Sequence, residues 1–145
     1  MATSTRPTNS VASGSRWKGR LLAVGATVVA AVVVYLLIKV FGPDLRTPGM
    51  NGAAPADLNV GAVLLASALA GFAGWGLLAL LEKFTRNALM IWTIVAVAVL
   101  ALSLSGPLTG TGVSTGNRLA LVLMHIVAGT VLIVLMRRTA ARRTD

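Results

Sequence analysis

Hydrophobic positions in this sequence come in long blocks rather than in periodic stripes. Four runs, Leu21–Phe41, Val60–Leu81, Ala88–Leu104 and Leu119–Met136, hold no acidic residue and a single basic one, Lys39. As helices rising about 1.5 Å per residue they would measure about 32, 33, 26 and 27 Å, against a hydrocarbon core of about 30 Å. A chain in lipid must satisfy its backbone N–H and C=O groups internally, which leaves helices or closed barrels. These runs lack the alternation of barrel strands. The pattern predicts an all-α fold, a four-transmembrane-helix bundle with spans near 21–41, 60–81, 88–104 and 119–136. The two shorter spans would cross with little tilt or with snorkelling flanks.

The connecting segments are polar and rich in turn formers. Residues 1–20 are basic and Ser/Thr-rich without apolar periodicity, so a disordered tail is expected there, with a second basic tail at 137–145. The first run is longer than the about 7–15 residues of a signal-peptide core. The small residues Ala54 and Ala56 lie far beyond its end, so it reads as a retained anchor. The stretch 42–59 carries Gly42-Pro43, Pro48-Gly49, Asn51-Gly52 and Pro55, and Asp57 stands where an N-cap of the second helix would be favourable. Residues 82–87 suffice only for a tight helical hairpin. Residues 105–118 read as a flexible loop; Gly110-Thr-Gly112 there lacks the strand and lysine of a nucleotide-binding motif.

Composition agrees, since 56% of the 145 residues are hydrophobic and 12% are charged, half the usual about 25%. The net charge of +9 would suit a nucleic-acid partner only if the cations formed a stripe, and they flank the spans instead. Arg6, Arg16, Lys18, Arg20, Lys83, Arg86, Arg137, Arg138, Arg142 and Arg143 fall on one side of the bundle. Lys39, Arg46 and Arg118 fall on the other. The positive-inside rule then places both termini in the cytoplasm of a cell (inner/plasma) membrane protein, with anionic lipid headgroups as partner and no nucleic acid. Trp17, Trp75 and Trp92 lie toward that same side, as an interfacial belt would, and Lys39 is close enough to the far end of its span to snorkel outward.

Candidate chemistry is sparse. There is no cysteine, one histidine and four acidic residues, so neither a redox pair nor a metal or cofactor site is expected. Ala62, Ala66, Ala70 and Gly74, with Gly71 beside them, form a small-residue row on the second span. This row is a candidate face for close helix packing or for a homo-oligomer contact, with Ala23, Thr27 and Ala31 as a weaker counterpart on the first span. His125 is the one titratable group deep in a span. Tyr35 and Ser67 stand at a similar depth, so the three form a candidate intramembrane polar cluster, as hydrogen-bonding glue or as a proton path.

Four strings in order, Gly42-Pro-Asp-Leu45, Ala73-Gly-Trp-Gly-Leu-Leu-Ala-Leu-Leu-Glu82, Leu102-Ser-Leu-Ser-Gly-Pro-Leu108 and Leu123-Met-His-Ile-Val-Ala-Gly129 with Val131-Leu-Ile133, carry a resemblance over roughly residues 18–137. They resemble a domain-of-unknown-function family of small four-helix membrane proteins from actinobacteria. The resemblance implies a four-span inner-membrane bundle with a histidine in the last span, here His125, and no activity, ligand or partner.

The expected role is a non-enzymatic multi-pass membrane protein, structural or accessory in a membrane assembly. The alternative is a small oligomeric transporter or channel subunit. In architecture the chain resembles the small multidrug exporters, but those depend on a carboxylate in the first span. Here Asp44, Asp57, Glu82 and Asp145 all lie outside the spans. Ser103, Ser105 and His125 in part resemble an intramembrane serine protease; depth separates Ser105 from His125, and an activated serine needs its base within hydrogen-bond reach.

Overall fold

The computed structural model describes residues 11–49 and 52–141. In chain order the elements are α1 (Val11–Phe41), β1 (Arg46–Thr47), β2 (Ala56–Asp57), α2 (Val60–Phe84), α3 (Ala88–Ser103), α4 (Ser105–Thr109) and α5 (Thr115–Ala141). The four apolar runs fall on α1, α2, α3 with its continuation α4, and α5, and each of these is long and apolar enough to cross a membrane.

Helix ends follow from local chemistry, and several depart from the expected ones. α1 begins at Val11, so half of the expected N-terminal tail is helical; residues 1–10 of that tail lie outside the described residues. No proline interrupts Val11–Arg20, and extending an existing helix adds one hydrogen bond per residue fixed. α5 likewise runs four residues past Arg137 to Ala141, with residues 142–145 outside the description, and basic groups suit a helix C-terminus. The N-cap of α2 is Asn59, whose Oδ1 accepts from the Ala62 N–H at 2.9 Å. Asp57, the expected cap, instead pairs with Arg46 across β1 and β2. α3 stops at Ser103 because Pro107 offers no N–H to the carbonyl four residues back and its ring crowds that carbonyl.

Around the bundle the order is α1–α2–α3–α5. α1 packs most extensively on α5 and α2, α3 packs on α2 and α5, and the α2–α5 diagonal meets only sparsely. The core has two centres. Near the end carrying both termini it holds Ala23, Val24, Leu78, Trp92 and Met136. Near the opposite end it holds Ala31, Tyr35, Leu45, Val63, Ala120, Leu121 and Met124. Large apolar side chains such as Leu22, Val40, Phe84 and Leu102 are at least 70% exposed, whereas Ala23, Thr27, Ala31, Ser67 and Gly71 are buried. Small residues inside and large ones outside suit a bundle that gains no hydrophobic drive from burying leucine and packs by backbone approach instead.

The end opposite the termini is closed by chain rather than left as loose loop. β1 and β2 pair antiparallel, with Arg46 opposite Asp57 and Thr47 opposite Ala56. Gly49 exchanges two backbone hydrogen bonds with Thr111, at 3.0 and 3.3 Å, which ties the 105–118 connection to the 42–59 connection. The expected flexible loop is thus paired, and its first five residues are helical as α4. Gly112 sits at φ +79 against the Pro55 ring, a conformation and a proximity that together exclude a side chain.

Candidate functional site

Polar groups are rare in this molecule, and nearly all of those inside it are already occupied. At the termini end, Arg20 on α1 and Glu82 on α2 form an ion pair, Nη2 to Oε1 at 2.5 Å, with side-chain exposures of 8% and 17%. Arg20 Nε is buried without a partner. Beside this pair, the Trp92 indole N–H donates to the Gly74 carbonyl at 2.7 Å, joining α3 to α2. Trp92 is 1% exposed, so it belongs to the core and not to the expected interfacial belt; Trp17 alone of the three tryptophans is exposed. On the sequence alone Arg20 falls in the N-terminal tail and Glu82 in the 82–87 connection. Their available signal was position: one directly precedes the first apolar run and the other directly follows the second.

The expected cluster of His125, Tyr35 and Ser67 is not hydrogen-bonded together. Ser67 Oγ donates to the Val63 carbonyl at 2.6 Å, one turn back on its own helix. His125 Nδ1 lies 2.7 Å from the Leu121 carbonyl, also one turn back. A carbonyl can only accept, so Nδ1 carries the proton, and in the neutral ring Nε2 is the acceptor. Tyr35 is buried, donates its hydroxyl to the Leu58 carbonyl at 3.1 Å, and accepts from Lys39 Nζ at 3.4 Å. Depth was shared, but each group finds a nearer backbone carbonyl, which is the usual fate of a polar side chain in a helix. Ser103 and Ser105 similarly donate to the Leu100 and Leu102 carbonyls. Among the described residues no three His, Asp or Glu side chains come together as metal ligands.

The small-residue row of α2 is turned differently from the expected face. Gly71 is buried and Gly74 half-buried, but Ala62, Ala66 and Ala70 are exposed. The buried row is Val63, Ser67, Gly71 and Leu78, facing Ala23, Val24, Thr27, Ala31 and Tyr35 of α1. Because α2 is apolar on every side, alanine spacing alone does not fix which row turns inward. At Gly71 a Cβ would stand 2.9 Å from Val24 Cγ1. Gly71→Leu is therefore expected to cost about 1–3 kcal/mol of bundle stability by overpacking, while Ala66→Leu on the exposed row should stay within about 0.5 kcal/mol. Thermal unfolding of the two variants in one detergent checks the order.

At the other end Asn117 is 1% exposed and clamps the 42–59 segment: its Nδ2 donates to the Arg46 carbonyl at 2.9 Å and its Oδ1 accepts from the Arg46 N–H at 2.8 Å. Leu45 enters the core beside it, and the Leu58 N–H donates to the Leu45 carbonyl at 2.9 Å. Sequence reading missed Asn117. It stands in a Gly-Asn-Arg stretch before an apolar run, where nothing distinguishes a clamp from an ordinary loop asparagine.

No curated protein and no solved structure matches the chain. The ordered strings that run from the first connection through the last helix lie within the match of a family model that covers residues 11–142 and thus all of the described helices. On that match the chain belongs to a family of unknown function, DUF6069.

Proposed function

We propose that this chain is a non-enzymatic, multi-pass cell-membrane protein, structural or accessory in a membrane assembly, with both termini in the cytoplasm and an actinobacterial origin. The observation that carries the reading is the filled interior. Trp92, Tyr35, Leu78, Met136, Asn117 and Thr27 are all but completely buried, and Leu100 and Val24 pack over Gly129 and Gly71. Side chains meet where a conduit would need space, and the polar groups that a proton relay would use are held by backbone carbonyls. Outward, α2 presents Ala62, Ala66 and Ala70, a surface that a neighbouring helix can approach closely. The basic groups near the termini favour the leaflet rich in anionic headgroups, and their place at the span ends suits lipid rather than nucleic acid.

The alternative reading, a small oligomeric transporter or channel subunit, would place the path between copies, and the same exposed α2 row favours it. The absence of native cysteine makes the test direct. In intact cells Thr109→Cys is expected to react with a membrane-impermeant maleimide, and Lys83→Cys only after permeabilisation; the reverse overturns the orientation. A photocrosslinker at Ala66 is expected to capture one discrete heterologous membrane protein. Capture of a second copy alone favours the oligomeric transporter or channel, and capture of lipid alone overturns both.

A further inference from the structure

At the termini end the start of α3 and the end of α5 enclose an open cleft of about 410 Å³, lined by Arg86, Asn87, Leu89, Met90, Thr93, Ile94 and Arg137. Its chemistry is one-sided, since the lining has two guanidinium groups and no carboxylate. Glu82, four residues before Arg86, is held by Arg20. Among the described residues Arg137 makes one hydrogen bond, Nη1 to Thr93 Oγ1 at 3.1 Å, which positions a guanidinium that has further N–H groups to offer a ligand. Thr93 spends its own proton on the Leu89 carbonyl at 2.7 Å, which aims its oxygen at the guanidinium.

Depth then selects the ligand. Arg86 and Asn87 stand just before α3, while Met90 and Ile94, one and two turns along it, are 60% and 62% exposed. From Arg86 to Ile94 the cleft therefore passes over about 10–12 Å from cationic to apolar. A soluble anion would use only the first part. A phospholipid uses both, with its phosphate between two cations and the first carbons of an acyl chain along an exposed methionine and isoleucine.

We infer that this cleft is a binding site for the phosphate of an anionic phospholipid, with Arg86 and Arg137 as its cationic jaws and Met90 and Ile94 as its acyl-chain wall. The inference rests on the membrane reading above and adds to it a defined site in place of a diffuse basic surface. The jaws come from different elements, α5 and the α2–α3 connection, so a bound headgroup also holds the start of α3 to α5.

Titration of the purified full chain with phosphatidylglycerol, followed by native mass spectrometry, tests it. One tightly held phosphatidylglycerol per chain is expected, in preference to phosphatidylcholine. Arg86→Gln and Arg137→Gln together should weaken that binding about tenfold or more, since charge-assisted hydrogen bonds to phosphate are lost. Arg138→Gln, one residue away and outside the cleft, should change it less than about twofold. Equal effects of Arg137→Gln and Arg138→Gln, or equal retention of phosphatidylcholine, overturn the site in favour of diffuse attraction. Glycerol 3-phosphate binding as tightly as phosphatidylglycerol overturns the lipid in favour of a soluble anion. Release of the chain from membranes by alkaline carbonate defeats the membrane reading itself; a chain that resists carbonate yet shows no lipid preference defeats only this inference.

Discussion

Glu82→Ala is expected to lower the stability of the bundle by about 3 kcal/mol or more, the largest effect of any single substitution considered for this molecule. The reason is what it leaves behind. Arg20 is 8% exposed in its side chain and Nη2 has Glu82 as its acceptor, while Nε already lacks a partner. Without the carboxylate a buried guanidinium has no counter-charge and must drag α1 outward to reach water. Arg20→Ala leaves the more exposed partner, Glu82 at 17%, and should cost less. Replacing both, Arg20→Met with Glu82→Leu, should recover most of the loss, because apolar side chains of similar volume need no pairing. Equilibrium unfolding of the three variants in one detergent gives the coupling directly. The loss should also persist at high salt, since a pair this buried is screened far less than a surface one. Additive single losses, or a Glu82→Ala cost below that of Arg20→Ala, would refute the account.

The same pair explains why α1 and α2 lie in one register. Val24 of α1 fits over Gly71 of α2, a contact that is apolar and would survive sliding by a turn at modest cost. An ion pair with a 2.5 Å contact does not slide. Arg20 at one end of the interface and Tyr35, donating to the Leu58 carbonyl before α2, at the other hold the two helices at both limits of their contact. Between them Ala23, Thr27, Ala31, Ser67 and Gly71 alternate with Val24, Val63 and Leu78, and the small residues let the backbones approach closely.

The four helices were legible because lipid demands length and continuity, and Leu21–Phe41 and its three counterparts satisfy both on inspection. Rotation about each helix axis was not. A helix that is apolar all round has no moment to orient it, so Ala62, Ala66 and Ala70 competed on equal terms with Val63, Ser67 and Gly71. Only contact with Val24 distinguishes them. Shared depth of His125, Tyr35 and Ser67 was readable, but their bonding was not, because the competing acceptors are backbone carbonyls present in any sequence. Arg20 and Glu82 were recoverable in principle: antiparallel neighbouring spans place the residue before one opposite the residue after the other. The cleft between Arg86 and Arg137 needed the packing of α3 on α5, which no local pattern encodes.

Asn117→Ala is expected to cost about 2 kcal/mol, with a local signature that separates it from Glu82→Ala. The substitution removes both bonds to Arg46, leaving its part-buried backbone N–H and C=O to find water as the segment opens. Opening is available here as it is not at Arg20, because β1 and β2 form only two residue pairs and the Arg46–Asp57 ion pair, 3.2 Å between side chains 54% and 86% exposed, contributes little. The consequence should travel along the segment. Leu45 leaves the core near Tyr35, and the Gly49–Thr111 pairing, which ties the two connections together, loses one of its supports. Hydrogen exchange should therefore accelerate at Arg46, Gly49 and Thr111 while the amides of α2 and α3 keep their protection. Asn117→Asp should be worse than Asn117→Ala, since it keeps the acceptor for the Arg46 N–H but turns a carboxylate oxygen toward the Arg46 carbonyl. Uniform loss of protection across all four helices would mean that Asn117 supports the bundle as a whole, and that the clamp on the 42–59 segment is not its principal contribution.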